Sequence, residues 1–87
     1  GDVYKRQALA YQAMRRGGNI PTAFNAANEK AVALFLDRKI AYQQIPEMIE
    51  SCMEAAAFIA NPTVDEILET EAAAYEHIAG KWGKVFA

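Results

Sequence analysis

The chain has 87 residues, a formal net charge of −2 and a mean hydropathy of −0.09. A chain of this size buries only about 60% of its unfolded surface, so it can hold one small domain with a modest core, not a deep, many-layered enzyme pocket. Its 53% apolar and 23% charged residues exclude a disordered or collagen-like polymer. No apolar run approaches the roughly 18 residues of a membrane span. The single cysteine, Cys52, excludes an internal disulfide. With nothing resembling a secretory signal, a cytoplasmic location is the default expectation.

The charge is unevenly spread. Residues 1–39 hold seven Lys/Arg against three Asp/Glu, residues 40–80 hold eight Asp/Glu and no Lys or Arg, and residues 81–87 add two lysines. Such asymmetry suits mutual attraction between helices or two different partners.

In chain order, "GDVYKRQ" does not continue the alanine-rich pattern that follows it, and residues 1–7 read as a non-native end. A first helix is predicted from about Gln7 to Arg16, with Leu9, Ala10, Ala13 and Met14 on one side. Arg15 and Arg16 suit its negative end, and Gly17-Gly18 stops it. A second begins near Pro21 and carries Phe24, Ala27, Ala31, Leu34 and Phe35 at helical spacing, ending at Arg38 and Lys39. "IAYQQI" reads as a short extended connector that tucks in Ile40, Tyr42 and Ile45. A third helix then runs through Met48, Ile49, Cys52, Met53 and Ala56 to Ile59, with Pro46 tolerated in its first turn. Asn61-Pro62 marks a turn, and Thr63 with Glu66 forms a T-x-x-E capping box. The fourth helix places Val64, Ile67, Leu68, Tyr75, Ile78 and Trp82 on one stripe. No strand-like alternation occurs, and four helices with short loops imply an all-α, four-helix bundle over residues 8–87.

Signatures of chemistry are scarce. There is no Gly-rich phosphate loop and no H-E-x-x-H. His77, the only histidine, lacks a second ligand at zinc spacing. Glu66, Glu69, Glu71 and Glu76 are spread around a helix, as solvated carboxylates are. Arg15, Arg16, Arg38 and Lys39 lack the interleaved aromatics of a nucleic-acid surface. The residues therefore point to no catalytic, cofactor-binding or metal-binding group.

The informative stretch is "IPTAFNAANEKAVALFL". Asn25 and Asn28 share a helix face with Glu29 close by. Asparagine is a mediocre helix former, so two within one turn suggest specific hydrogen bonds, either to a ligand or to the loose backbone ends of neighbouring helices. The structural alternative is favoured because no nucleophile or base lies near in sequence. It predicts that Asn28→Ala costs about 1–3 kcal/mol, as for a buried group left without its partner.

Here the sequence resembles a known family. Gly18, Pro21, Asn25, Ala26, Ala27, Asn28, Glu29, Ala31, Val32, Phe35 and Leu36, followed by Ile40, Tyr42 and Ile45, are similar to the C-terminal helical domain of 1-deoxy-D-xylulose 5-phosphate reductoisomerase. "LAYQAM" and "PTVDEILETEAAA" resemble that domain's first and last helices, and the resemblance extends over about residues 8–79. Tyr42 stands where Phe is more usual, and Gln44 where Asp or Thr is common. The resemblance implies a parent enzyme that rearranges and reduces its sugar phosphate with NADPH and a divalent cation, Mg or Mn. It also implies a homodimeric parent in which separate NADPH-binding and catalytic domains are this domain's partners. Asn25, Asn28, Glu29, Thr63 and Glu66 would then be structural residues, with no nucleic acid or membrane as partner. The contrasting expectation is a stand-alone helical interaction module whose acidic half docks a basic partner.

Overall fold

The structure, a computed structural model, describes residues 2–86, with side chains described for residues 3–84. Four α-helices and a terminal turn follow in order: α1 (Asp2–Arg16), α2 (Ile20–Leu36), α3 (Gln44–Ala55) and α4 (Val64–Lys81), then a 3-10 turn (Gly83–Phe86). No strand occurs among the described residues, and the fold is the four-helix bundle implied by the periodicity. α2 and α3 form its centre. α1 packs on both, while α4 packs chiefly on α2 with a narrower contact to α3.

The centre of the core is built from Ile20, Ile45, Met48, Ile49 and Ile78, all fully buried. Toward them α2 presents a face of small residues: Ala23, Ala26, Ala27 and Ala31. Small side chains let neighbouring helices approach closely and bury α2 on several sides, and the interior is filled by the larger side chains of α3.

The boundaries differ from the sequence expectations in four places, each with a local cause. α1 begins at Asp2, five residues earlier than predicted, because nothing in "DVYKRQ" breaks a helix. α2 ends at Leu36 rather than running to Arg38 and Lys39. There, Arg38 N–H donates to Phe35 O at 3.0 Å and Lys39 N–H to Leu34 O at 2.9 Å. Arg38 is left-handed, with φ 59°. These are the two bonds of a Schellman stop, made with arginine where glycine is usual.

The connector is a turn rather than an extended stretch. Ile40 is buried, but Tyr42 stays on the surface, edge-on to Phe35 with ring centroids 5.3 Å apart. Gln44 supplies a local stop of its own, its Oε1 accepting from Ala41 N–H at 2.7 Å. α3 ends at Ala55, not Ile59, because Ala56 turns extended (ψ 130°) and its successors bond elsewhere.

α4 departs most from its expected packing. Its T-x-x-E capping box forms in full: Glu66 N–H donates to Thr63 Oγ1 at 3.1 Å, and Thr63 N–H to Glu66 Oε1 at 2.9 Å. Its buried face, however, is Thr70, Ala74 and Ile78. Of the stripe predicted to face inward, Ile78 is buried and Tyr75 and Trp82 are half-buried. Val64 and Leu68 stand 73% and 57% exposed, and Ile67 lies at the edge. Meeting the alanine face of α2 at close range selects the small residues of α4 and leaves the larger ones outside.

Candidate functional site: a buried asparagine clasp and the α3–α4 cavity

Two glycines turn the chain between α1 and α2. Both are left-handed, Gly17 at φ 66° and Gly18 at φ 58°, a conformation costly for any residue with a Cβ. At Gly18 a Cβ would also collide with the carbonyl of Ile59. The turn is thus pressed against the extended segment after α3. Asn19, the next residue, is 1% exposed and locks the two together. Its backbone N–H donates to Ile59 O at 3.0 Å, and its Oδ1 accepts from Ile59 N–H at 2.8 Å. Its Nδ2 donates to Ala57 O at 2.7 Å and to Thr70 Oγ1 at 3.0 Å. The Thr70 hydroxyl passes its own proton to Glu66 O at 2.8 Å. One amide side chain therefore joins the α1–α2 turn, the extended segment and α4, and satisfies backbone groups that burial would otherwise leave unpaired.

Asn19 makes a clasp that the sequence reading did not single out. Asn25 is exposed and makes no hydrogen bond among the described residues. Asn28 is half-buried and accepts one bond, from Arg6 Nη1 at 3.3 Å. Glu29 is exposed. It lies near Tyr75 of α4, whose phenol is raised above its ordinary value by burial first and then by the Glu29 and Glu71 carboxylates. The sequence around Asn19, Gly-Gly-Asn-Ile-Pro, would have suggested an N-cap. Asn19 takes the helical conformation instead (φ −88°, ψ −1°) and forms no side-chain cap, which frees its amide to reach across the bundle.

The clasp forms one wall of a cavity of about 290 Å³ between α3 and α4, lined also by Cys52, Ala55, Ala73, Ala74 and His77. At its rim Ser51 Oγ and His77 Nε2 lie 2.7 Å apart, and Lys81 Nζ donates to Ser51 Oγ at 3.2 Å. The ammonium can only donate, while the direction of the Ser51–His77 bond follows the imidazole tautomer. This resembles part of a hydrolytic dyad, but among the described residues no carboxylate bonds the histidine to orient it. Its other neighbour is the edge of Trp82, with ring centroids 6.4 Å apart. The Cys52 thiol bonds Ala74 O at 3.6 Å, and burial pushes its pKa up to about 11, with Lys81 only partly offsetting the shift. A thiol so protonated is no nucleophile near neutral pH. The trio is a polar bridge between α3 and α4.

Among the described residues no group of three or more His, Cys, Asp or Glu side chains is placed to hold a metal ion. Their helices include none long and apolar enough to cross a membrane. Six of the thirteen residues that line the cavity are alanines and two are glutamates, and the lining has no Lys or Arg and no phosphate-cradling loop of the kind a dinucleotide needs. The residues present do not fit NADPH or a catalytic divalent cation.

The family model for the DXP reductoisomerase C-terminal domain matches residues 1–77, so its range takes in the first seven residues as well as the helices behind them. Relatives named 1-deoxy-D-xylulose 5-phosphate reductoisomerase include those of Agathobacter rectalis (63% identical over 81 residues) and Lachnospira eligens (53% identical over 81 residues). Another, from Geobacillus kaustophilus, is 43% identical over 77 residues. These matches cover 93%, 93% and 88% of this chain, but only 21%, 21% and 20% of the respective relatives. No solved structure matches the chain. The helical pattern, the Asn-Ala-Ala-Asn-Glu stretch and these matches lead to one assignment: the chain belongs to the family of DXP reductoisomerase C-terminal domains.

Proposed function

We propose that this chain is the supporting C-terminal domain of an NADPH-dependent 1-deoxy-D-xylulose 5-phosphate reductoisomerase. The parent converts that sugar phosphate to 2-C-methyl-D-erythritol 4-phosphate for isoprenoid synthesis by the non-mevalonate route. NADPH and the Mg or Mn ion belong to the domains that this chain does not contain, and the parent works as a cytoplasmic homodimer. Asn25, Asn28, Glu29, Thr63 and Glu66 are structural residues in this reading, and the boundary of the domain at residue 8 belongs to the same proposal.

The observation that carries the reading is the matched fraction: nearly all of this chain aligns with about one fifth of each relative. The domain's contribution is rigidity. A catalytic constellation is only as accurate as the shell that supports it, and the Asn19 clasp makes this shell a single unit.

The test has two arms, both reading NADPH consumption with the sugar phosphate and a divalent cation. The 87-residue chain alone gives no turnover. The Agathobacter rectalis relative, with its matching segment replaced by this chain, turns over. A silent but folded chimaera, or turnover by the 87 residues alone, would overturn the reading.

A further inference from the structure

The charge asymmetry of the sequence is little used inside the molecule. Lys5 of α1 pairs with Glu50 of α3 at 3.6 Å, but Arg15 of α1 and Asp65, Glu69 and Glu76 of α4 make no hydrogen bond or ion pair among the described residues. The same two helices carry apolar side chains on their outward stripes. Opposite its buried Leu9 and Ala13, α1 presents Tyr4, Tyr11 and Met14, which are 74%, 66% and 74% exposed. Gln7, Ala8 and Arg15 share that stripe, and Arg15 is its one charge. A water-facing helix stripe ordinarily carries more charges than this, whereas the middle of a protein–protein contact is depleted of them. Opposite its buried Thr70, Ala74 and Ile78, α4 presents Leu68, Ala72 and Ala79, all exposed, edged by Asp65, Glu69 and Glu76.

The two stripes match in size and in sign. Tyr4 and Tyr11 stand two helical turns apart on α1, and so do Ala72 and Ala79 on α4. Laid antiparallel, Tyr11 comes over Ala72, Tyr4 over Ala79, and Met14 beside Leu68, so that large side chains meet small ones. The same direction brings Arg15, in the last turn of α1, to Asp65 and Glu69, near the start of α4. It also sets the two helix dipoles head to tail. Within one molecule the stripes cannot meet, because α1 and α4 each pack on α2 and α3 and both stripes face away from that centre.

We propose that the occupant of each stripe is a second copy of this chain: α1 of one copy packs antiparallel on α4 of the other, and a two-fold axis makes the contact twice. The choice of partner helix follows from charge. An α1–α1 pair would join two basic helices and an α4–α4 pair two acidic ones, whereas α1 on α4 sets cation against carboxylate. The net charge of −2 leaves little general repulsion between copies. The inference is independent of the proposed function, since it concerns copies of this helical segment alone.

Sedimentation velocity on the 87-residue chain, over a wide range of concentration and salt, tests this. The expected result is a reversible dimer whose dissociation constant rises about tenfold between low salt and about 0.5 M salt. Arg15→Glu weakens the dimer about tenfold or more, and adding Glu69→Arg to it restores the dimer to within about threefold of wild type. Tyr11→Ala weakens it about tenfold, as the loss of an aromatic anchor does. Glu54→Gln, on the outward side of α3, leaves it unchanged. Arg15→Gln and Tyr11→Gln, read the same way, stand in for any variant whose helical circular dichroism falls. A dimer that salt or Arg15→Glu strengthens overturns the inference in favour of an apolar α1–α1 pair. A failure of Glu69→Arg to restore the Arg15→Glu chain overturns the α4 half of the contact. A chain that stays monomeric throughout overturns the whole inference and leaves the proposed function standing.

Discussion

Asn19 is the residue on which the tertiary arrangement most depends. Its side chain makes three hydrogen bonds to other segments from a site that is almost fully buried. Asn19→Ala leaves the Ile59 N–H and the Ala57 carbonyl without that partner, at about 1–3 kcal/mol for each such group. We expect a loss of about 3 kcal/mol, read as a lowered urea midpoint. Asn25→Ala, at an exposed site, should change stability by no more than about 0.5 kcal/mol. The 1–3 kcal/mol expected from sequence for Asn28→Ala shrinks to about 0.5–1 kcal/mol, since its one partner is a long bond from a half-buried arginine. Equal effects at positions 19 and 25 would contradict the clasp.

Cys52 gives the residue-scale prediction in pH. Its thiol is an acid whose pKa, pushed up by burial to about 11 in the fold, exceeds the ordinary value of 9.0. Folding therefore favours the protonated form. The contribution to stability is fully present below pH 9 and is lost as pH rises toward 11. A melting temperature that falls over this window in the wild-type chain, and falls less in Cys52→Ala, is the expected result. A thiol reagent at neutral pH should label Cys52 only after unfolding.

At the scale of the elements, the helix ends are where sequence and structure can be compared most closely. The capping box at Thr63 was legible because its signal is local: two side chains three residues apart satisfy each other's backbone. Thr63→Ala should cost about 1 kcal/mol. The end of α2 was less legible, since arginine is not the usual residue for a left-handed stop. That departure predicts a gain: Arg38→Gly removes the strain while keeping both closing bonds, and should stabilise by about 0.5–1 kcal/mol in thermal melts. A loss on Arg38→Gly would mean that the arginine side chain contributes something the backbone account omits.

Periodicity gave the number of helices and most of the core of α2 and α3, because those helices are buried on broad faces. It misjudged α4. A pattern of spacing locates an apolar stripe but cannot say whether that stripe meets the bundle or something beyond it. The small-residue face of α2 decides in favour of Thr70 and Ala74, and only the three-dimensional arrangement shows that. The Asn19 clasp was illegible for a related reason: its partners lie 38 to 51 residues away.

For the whole molecule, two features belong together. The interior is closed by a polar clasp and an alanine-lined helix contact, while Leu36, Val64 and Leu68 remain outside. The relatives that share this segment are about five times its length. The polar trio of Ser51, His77 and Lys81 has its place in this account as a tie between α3 and α4, the pair with the narrower contact.

The most direct measurement is NADPH consumption by the Agathobacter rectalis relative in three forms: intact, with its matching segment removed, and with that segment replaced by this chain. The account predicts that removal abolishes turnover and that replacement restores it to within about tenfold of the intact enzyme, a difference of at most ~1.4 kcal/mol in the barrier. Undiminished turnover without the segment would contradict it, because a support whose loss leaves the chemistry unchanged supports nothing.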